Sequence, residues 1–307
     1  MRFFPTSLQS AVRPRRACEI ASDGIFAARS AGVEAPMDAT AYVPLRSAIT
    51  AGLTAPVFQD RGAALAGLKE ALDAVDPDGR DWTIVLPDAC MRVLILDFDT
   101  LPAKPQEILP LVRFRLRRMV PFDVDTAPVS YQLLKPASST DTNGPIQIIA
   151  AAMPTEVRDE FESLVREAGR EPGVLLPATL AALAAMPDTG SQLLVHTGQG
   201  LVTTGITRNG ELLLYRGTEY SETDPAEMAQ AVLVAAAYYE DALHAQLEEV
   251  WVAGEEAPEV LRTHLEVDGE WRIPLRSPVT SEAFSVSAAP AHVPPGRYTS
   301  VMGALRG

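Results

Sequence analysis

Cysteine is scarce in this chain. Cys18 and Cys90 are the only two among 307 residues, there is no Cys-x-x-Cys spacing, and histidines number four. A disulfide framework and a clustered Cys/His metal site are thereby excluded, and two cysteines in apolar runs read as small, inert core residues of a reducing compartment. Aromatics are few at 6%, yet 47% of the residues are hydrophobic, so the core must be largely aliphatic. Basic residues are outnumbered, 26 to 40, which gives a net charge of −14. Nucleic-acid binding is excluded on that balance, since phosphate contact needs a basic surface. A membrane-crossing helix needs about 20 predominantly apolar residues. The nearest run, residues 226–245, is interrupted by Glu227, Gln230, Glu240, Asp241 and His244. The opening MRFFPTSLQSAVRPRR has no apolar core of the kind a secretory signal requires. Residues 1–16 therefore read as a basic tail in which Arg13, Arg15 and Arg16 are solvated or touch anionic lipid, on a cytosolic chain long enough for two domains.

What is present is a clear β-meander. Residues 192–216, QLLVHTGQGLVTTGITRNGELLLYR, hold an apolar run, a Gly-bearing turn, an alternating run, Asn209-Gly210 and a returning run. Asn-Gly between two apolar runs is a strong hairpin signal, because both turn positions need positive φ. By itself the meander is equally an ordinary one that binds nothing or one whose turn amides meet a phosphate.

Around it, strands alternate with helices. Residues 17–22 and 24–30 read as strands about the turn Ser22-Asp23-Gly24, and 41–45 is another apolar stretch. Residues 61–75 place Leu65, Leu68, Leu72 and Val75 on one helical face, with Asp60 as N-cap and Asp76-Pro77-Asp78-Gly79 as the break. Strands are expected at 82–86, 91–98, 129–134, 147–153 and 250–253, with a polar loop at 135–145. Helices are expected at 105–119, broken or kinked near Pro110; from an N-capping Thr155 to Gly169; at 175–186; and at 225–245, 258–265 and 298–306. Residues 274–295 read as loops with at most an edge strand. Arg113, Arg115, Arg117 and Arg118 form the most basic patch of an acidic chain. It is either a solvated helix face or a docking face for an acidic partner. The pattern is α/β with mixed sheets.

The order of several pieces resembles the PilM group, the actin-like proteins of type IV pilus assembly related to the division protein FtsA. These pieces are VRFRLRRMVPF before Val129-Ser130-Tyr131-Gln132-Leu133-Leu134, the TEVRDEFESLVREAG helix with LLPATLAAL, and the meander ending in Leu214-Tyr215-Arg216-Gly217. VAAAYYEDAL, the strand ending in Gly254, and the closing Val301-Met302-Gly303-Ala304-Leu305-Arg306-Gly307 complete the set. The likeness runs over about residues 15–307. It implies a two-lobed actin-like (ribonuclease H-like) fold. Residues 17–190 form the first lobe, with a small α+β subdomain inserted at about 91–169. Residues 191–307 form the second, and helix 298–306 returns to the first. The usual helical insertion before the paired-aromatic helix shrinks here to residues 217–225, so the fourth subdomain is reduced or missing.

The same resemblance locates a nucleotide site and its departures. Active relatives carry D-x-G-S-S-x-x-K in the first hairpin; here Glu19 stands for the acid, Ala21 replaces the first glycine, and Ser22, Asp23 and Gly24 keep the turn. The second phosphate turn, usually D-x-G, is His196-Thr197-Gly198-Gln199-Gly200, and a neutral imidazole is a poor Mg²⁺ partner. His196 reads as a strand-end hydrogen-bonding residue. The adenosine-side Gly-Gly turn is Gly254-Glu255-Glu256, which brings a carboxylate toward any polyphosphate. The expectation is a degenerate site without ATP, Mg²⁺ or catalytic residues. The implied protein is a scaffold at the inner face of the cytoplasmic membrane, holding the N-terminal peptide of a PilN-like membrane protein beside other platform proteins or further copies of itself. Two alternatives are a divergent ATPase using Glu19, Gly198 and Gly200, and a GspL-like platform component of type II secretion. Proteins of the latter kind continue into a transmembrane helix and a periplasmic domain, so ending at Gly307 weighs against this alternative only if the chain is full-length.

Overall fold

A computed structural model of the chain describes residues 13–46, 48–134, 145–221, 224–266, 271–290 and 292–306. Most of the basic tail, nearly all of the 135–145 loop and Gly307 lie outside these residues.

Two five-stranded sheets make the two lobes. In the first, β1 (Arg16–Ile20) and β2 (Gly24–Ser30) form a hairpin extended by β3 (Met37–Pro44). On its other side β1 runs parallel to β4 (Asp81–Leu86), which runs parallel to β8 (Glu171–Pro177). In the second, β9 (Ser191–Gly198), β10 (Leu201–Arg208) and β11 (Glu211–Glu219) are the meander, and β12 (Glu249–Gly254) lies parallel to β9. The two-residue β13 (Leu275–Arg276) is the edge strand of the Pro-rich segment. The sheet orders β3-β2-β1-β4-β8 and β11-β10-β9-β12-β13 are the same pattern used twice, an antiparallel hairpin plus strand followed by parallel strands. Both meander turns are built as the sequence requires, with positive φ at Gln199 and Gly200 and again at Asn209 and Gly210.

Helix α1 (Arg61–Val75) buries Leu68, Leu72 and Val75 against the first sheet, and the Asp60 carboxylate accepts from the Ala63 N–H at 2.9 Å. A third sheet, β5-β7-β6, consists of β5 (Arg92–Phe98), β6 (Val129–Leu133) and β7 (Ile146–Ala152). With α2 (Ile108–Leu116) it encloses its own core of Leu96, Phe98, Val112, Leu116 and Ile148. Helix α3 (Thr155–Glu167), drawn into the same module by sequence, instead places Val157, Phe161 and Leu164 in the core shared with α1. The paired aromatics lie on α5 (Pro225–Leu243), which follows β11 after residues 220–224 alone; the fourth subdomain is therefore missing. Helix α6 (Pro258–Leu265) supports β12, and α4 (Ala178–Leu183) packs against the terminal helix α7 (Thr299–Arg306), which also lies on β1, β2 and β4. Both cysteines are buried, and burial pushes the Cys90 thiol up to about 12.

Three local expectations need correction. Residues 175–186 are not one helix: the run pairs with β4 as the last part of β8, and Pro177 then starts α4. An apolar run of that length fits either state until a neighbouring strand selects one. Thr155 is the first helical residue, not the cap; Pro154 takes that place and the Thr155 hydroxyl donates to the Thr126 carbonyl at 3.0 Å. The 105–119 helix is a 3₁₀ turn over Pro105–Glu107 followed by α2, which ends at Leu116. Pro110 falls in the first turn, where its missing N–H has no intrahelical partner to lose.

Candidate functional site

The two Gly-bearing turns face one another between the lobes, and the side chains around them fill the space. In the first hairpin Ala21 N–H donates to the Gly24 carbonyl at 2.9 Å, which closes the turn. A Cβ on Gly24 would collide with the Tyr42 ring, so glycine is required there for close approach. Asp23 pairs with Arg297 at 2.7 Å, and the guanidinium also lies 4.7 Å over the Phe26 ring. Glu19 is buried at the end of β1. Burial is the main cause that pushes its carboxyl up to about 8, with Arg297 opposing and Asp23, Asp88 and Glu255 adding to the rise. An acid held neutral at pH 7 is a poor organiser of Mg²⁺.

From the second lobe, β9 ends in His196, Thr197 and Gly198. The imidazole is buried, with Nε2 3.1 Å from Ser300 Oγ and Nδ1 3.5 Å from an Asp88 oxygen. Burial lowers its pKa ahead of the opposing pull from Asp88, so it is a neutral hydrogen-bonding group. Asp88 itself accepts from the N–H and hydroxyl of Thr179 and from the Tyr215 hydroxyl at 3.1 Å, which joins the 3₁₀ turn after β4, α4 and β11 at one carboxylate. Thr197 is fully buried, its hydroxyl accepting from Glu256 N–H at 2.9 Å and its carbonyl from Glu255 N–H at 2.9 Å. Gly254 has φ +93, and a Cβ there would stand 2.8 Å from Thr197 N, so no other residue fits this turn comfortably.

The Gln199 side chain reaches into the first lobe, where it accepts from Ala51 N–H at 2.5 Å and donates to the Ile49 carbonyl at 3.1 Å. The Gln199 N–H donates to Glu255 at 3.1 Å, and the other Glu255 oxygen accepts from the Ser22 hydroxyl. Burial raises the pKa of Glu255, and these two donors oppose that rise. What remains between Glu19, Ser22, Asp88, His196, Gly198, Glu255 and Arg297 is a cavity of about 30 Å³. That is room for about two waters. Of the donors around this space, the Ser22 hydroxyl and the Gln199 N–H are both taken by Glu255, and three acidic side chains, Glu19, Asp88 and Glu255, line it.

All nine residues assigned to the degenerate loops, Glu19, Ser22, Asp23, Gly24, Thr197, Gly198, Gln199, Gly200 and Gly254, therefore lie on the two facing turns and the strands beside them. Sequence reasoning missed Asp88, Arg297 and Ser300. The only local signal was Asp88 after the strand-ending Pro87, and nothing nearby marked the other two. The four arginines lie elsewhere. Arg113 donates to the carbonyls of Val124 and Ala127, Arg117 forms a two-pronged pair with Asp125, and Arg115 sits 5.4 Å over the Phe98 ring. Arg118 is exposed beside the exposed Phe114 and Met119.

Two hairpin-bearing sheets of matching order, facing turns and a terminal helix returning to the first lobe define the actin-like fold. The chain is similar to a chain of a PilM–PilN type IV pilus biogenesis complex, with a TM-score of 0.73 at 17% identity over 95% of this chain and 99% of that one. It also resembles the cytoplasmic domain of EpsL, an inner membrane component of the Vibrio cholerae type II secretion system, with a TM-score of 0.53 at 10% identity over 95% and 94%. A Bacteroides thetaiotaomicron protein with an actin-like ATPase fold and unknown function gives 0.52 at 9% identity, over 95% of each chain. No family model and no curated protein sequence matches the chain.

Proposed function

We propose that this protein is a scaffold of a type IV pilus assembly platform, one that holds the N-terminal peptide of a PilN-like inner-membrane protein and does not hydrolyse ATP. The observation that carries this reading is the end-to-end likeness to a chain of a PilM–PilN complex, covering 99% of that chain. The filled cleft supports the non-hydrolytic part, because phosphoryl transfer needs positioned phosphate donors and a metal. An extended apolar peptide would lie in a groove beside the inserted subdomain, with backbone pairing to hold it. Among the described residues no helix is long and apolar enough to cross a membrane, so in this reading the peptide brings the protein to the inner face of the cytoplasmic membrane. Arg118, Phe114 and Met119 are then the part of α2 and its C-terminal turn that faces other platform proteins or another copy.

The test is calorimetric titration of a peptide copied from the N-terminus of a PilN-like protein encoded beside this one. Saturable binding is the expected result, and no heat at high micromolar peptide sinks the proposal. The likeness to the EpsL domain favours a second reading, a platform component of type II secretion. It is distinguished by binding to the corresponding secretion partner instead.

A further inference from the structure

The geometry points to Glu255 as a built-in replacement for a bound phosphate, a side chain that latches the cleft shut with no ligand and excludes anions from it. This rests on reading the cleft as free of nucleotide, and it goes further by saying what takes the nucleotide's place.

The carboxylate lies where two turns converge. One oxygen accepts from a hydroxyl of the first hairpin, Ser22, and the other from a main-chain N–H of the second turn, Gln199, at 3.1 Å. Hydroxyls and turn amides are the donors that ordinarily meet a phosphate oxygen. Here a single carboxylate satisfies both and ties the second lobe to the first. The backbone that carries it is held firmly. Gly254 turns at φ +93, and the N–H groups of Glu255 and Glu256 both donate to Thr197. The Gln199 side chain adds a second tie across the cleft through Ile49 and Ala51. An incoming anion would have to displace Glu255 and then face the Asp88 carboxylate that also lines the cavity, with Arg297 already paired to Asp23. The bridge between the lobes is thus supplied by the chain itself.

The experiment follows amide hydrogen exchange at Gln199 by NMR in wild type, Glu255→Gly and Glu255→Gln, each with and without magnesium pyrophosphate. Glu255→Gln keeps the shape and an acceptor oxygen, and serves as the control that the fold tolerates change at this position. The inference predicts exchange at least tenfold faster in Glu255→Gly, slowed again by pyrophosphate, with Glu255→Gln near wild type. It also predicts that pyrophosphate leaves the wild-type rate unchanged. Equal rates in Glu255→Gly and wild type would overturn the latch. Slowing of the wild type by pyrophosphate, or fast exchange in Glu255→Gly that pyrophosphate does not slow, would overturn the phosphate replacement. Peptide titration of the wild type tests the scaffold reading separately, so the two can fail independently.

Discussion

Glutamine in place of Glu19 is expected to raise stability at alkaline pH and to leave it unchanged in acid. The folded carboxyl sits at about 8, against an ordinary 4.5. Between those values the folded chain holds one proton that the unfolded chain has released, so wild-type stability falls as pH rises across the window. The contribution is fully present below the ordinary value and lost once pH has passed through the folded one. At 1.36 kcal/mol per pH unit the accumulated loss is on the order of 5 kcal/mol. At about 2 °C per kcal/mol for a chain of this size, Glu19→Gln should melt several degrees above wild type at pH 9 and together with it at pH 4. Thermal melts across that range decide the matter. A wild-type slope that survives the substitution would mean that Glu19 is ionised in the folded protein, and would restore it as a metal-organising acid.

Alanine at Gly303 is expected to destabilise the protein strongly, against the intrinsic preference of the helix. On propensity alone, glycine to alanine inside a helix gains about 1 kcal/mol. At this position the new Cβ would run into the Ala181 carbonyl oxygen and stand 2.7 Å from its carbon and 3.1 Å from Ala185 N. Those are backbone atoms of α4 and its end, which cannot rotate aside, and overpacking of this kind costs about 1–3 kcal/mol or more. Because the clash is with backbone, the cost falls at the upper end, about 3 kcal/mol, and steric overlap wins with a net loss of about 2 kcal/mol. Because α7 carries Ser300 and follows Arg297, its displacement also breaks the contacts to His196 and Asp23. The matched control is Gly62→Ala on α1, where the position is exposed and the nearest atom is Asp60 Oδ1 at 3.4 Å. There a small gain is expected. Urea unfolding of the two variants should thus move in opposite directions, and a Gly303→Ala protein as stable as wild type would deny the close α4–α7 approach.

What the sequence disclosed was local. Asp60 ahead of a periodic apolar face, Asn209-Gly210 between two runs, and Gly169 after a charged helix each specify their geometry within a few residues. The structure shows each of them, with Gly169 at φ +79. The strand and helix pattern alone reached no further than α/β with mixed sheets, and the actin-like fold was legible for a different reason, the order of family-like pieces along the chain. The division of residues 175–186 into strand and helix was not, since only pairing with β4 decides it. The cleft was legible as a set of loops and illegible as a network. Asp88, His196 and Ser300 meet from three distant segments, and Arg297 lies in a Pro-rich stretch with no periodicity. Glu255 could be read as a lost glycine that would repel phosphate. Its bonds to Ser22, 233 positions away, and to Gln199 exist only once both lobes are in place.

The most direct test of the whole account is the affinity of the PilN-type peptide, measured by calorimetry on nucleotide-stripped protein with and without saturating Mg-ATP. A scaffold whose cleft is held shut by its own side chains has no site through which ATP can bias peptide binding, and coupling between two ligands is reciprocal where it exists. The account predicts the same peptide affinity in both titrations and no heat from Mg-ATP alone. A tenfold change in peptide affinity on adding Mg-ATP, or micromolar binding of the nucleotide itself, would contradict it and make this protein a nucleotide-gated switch.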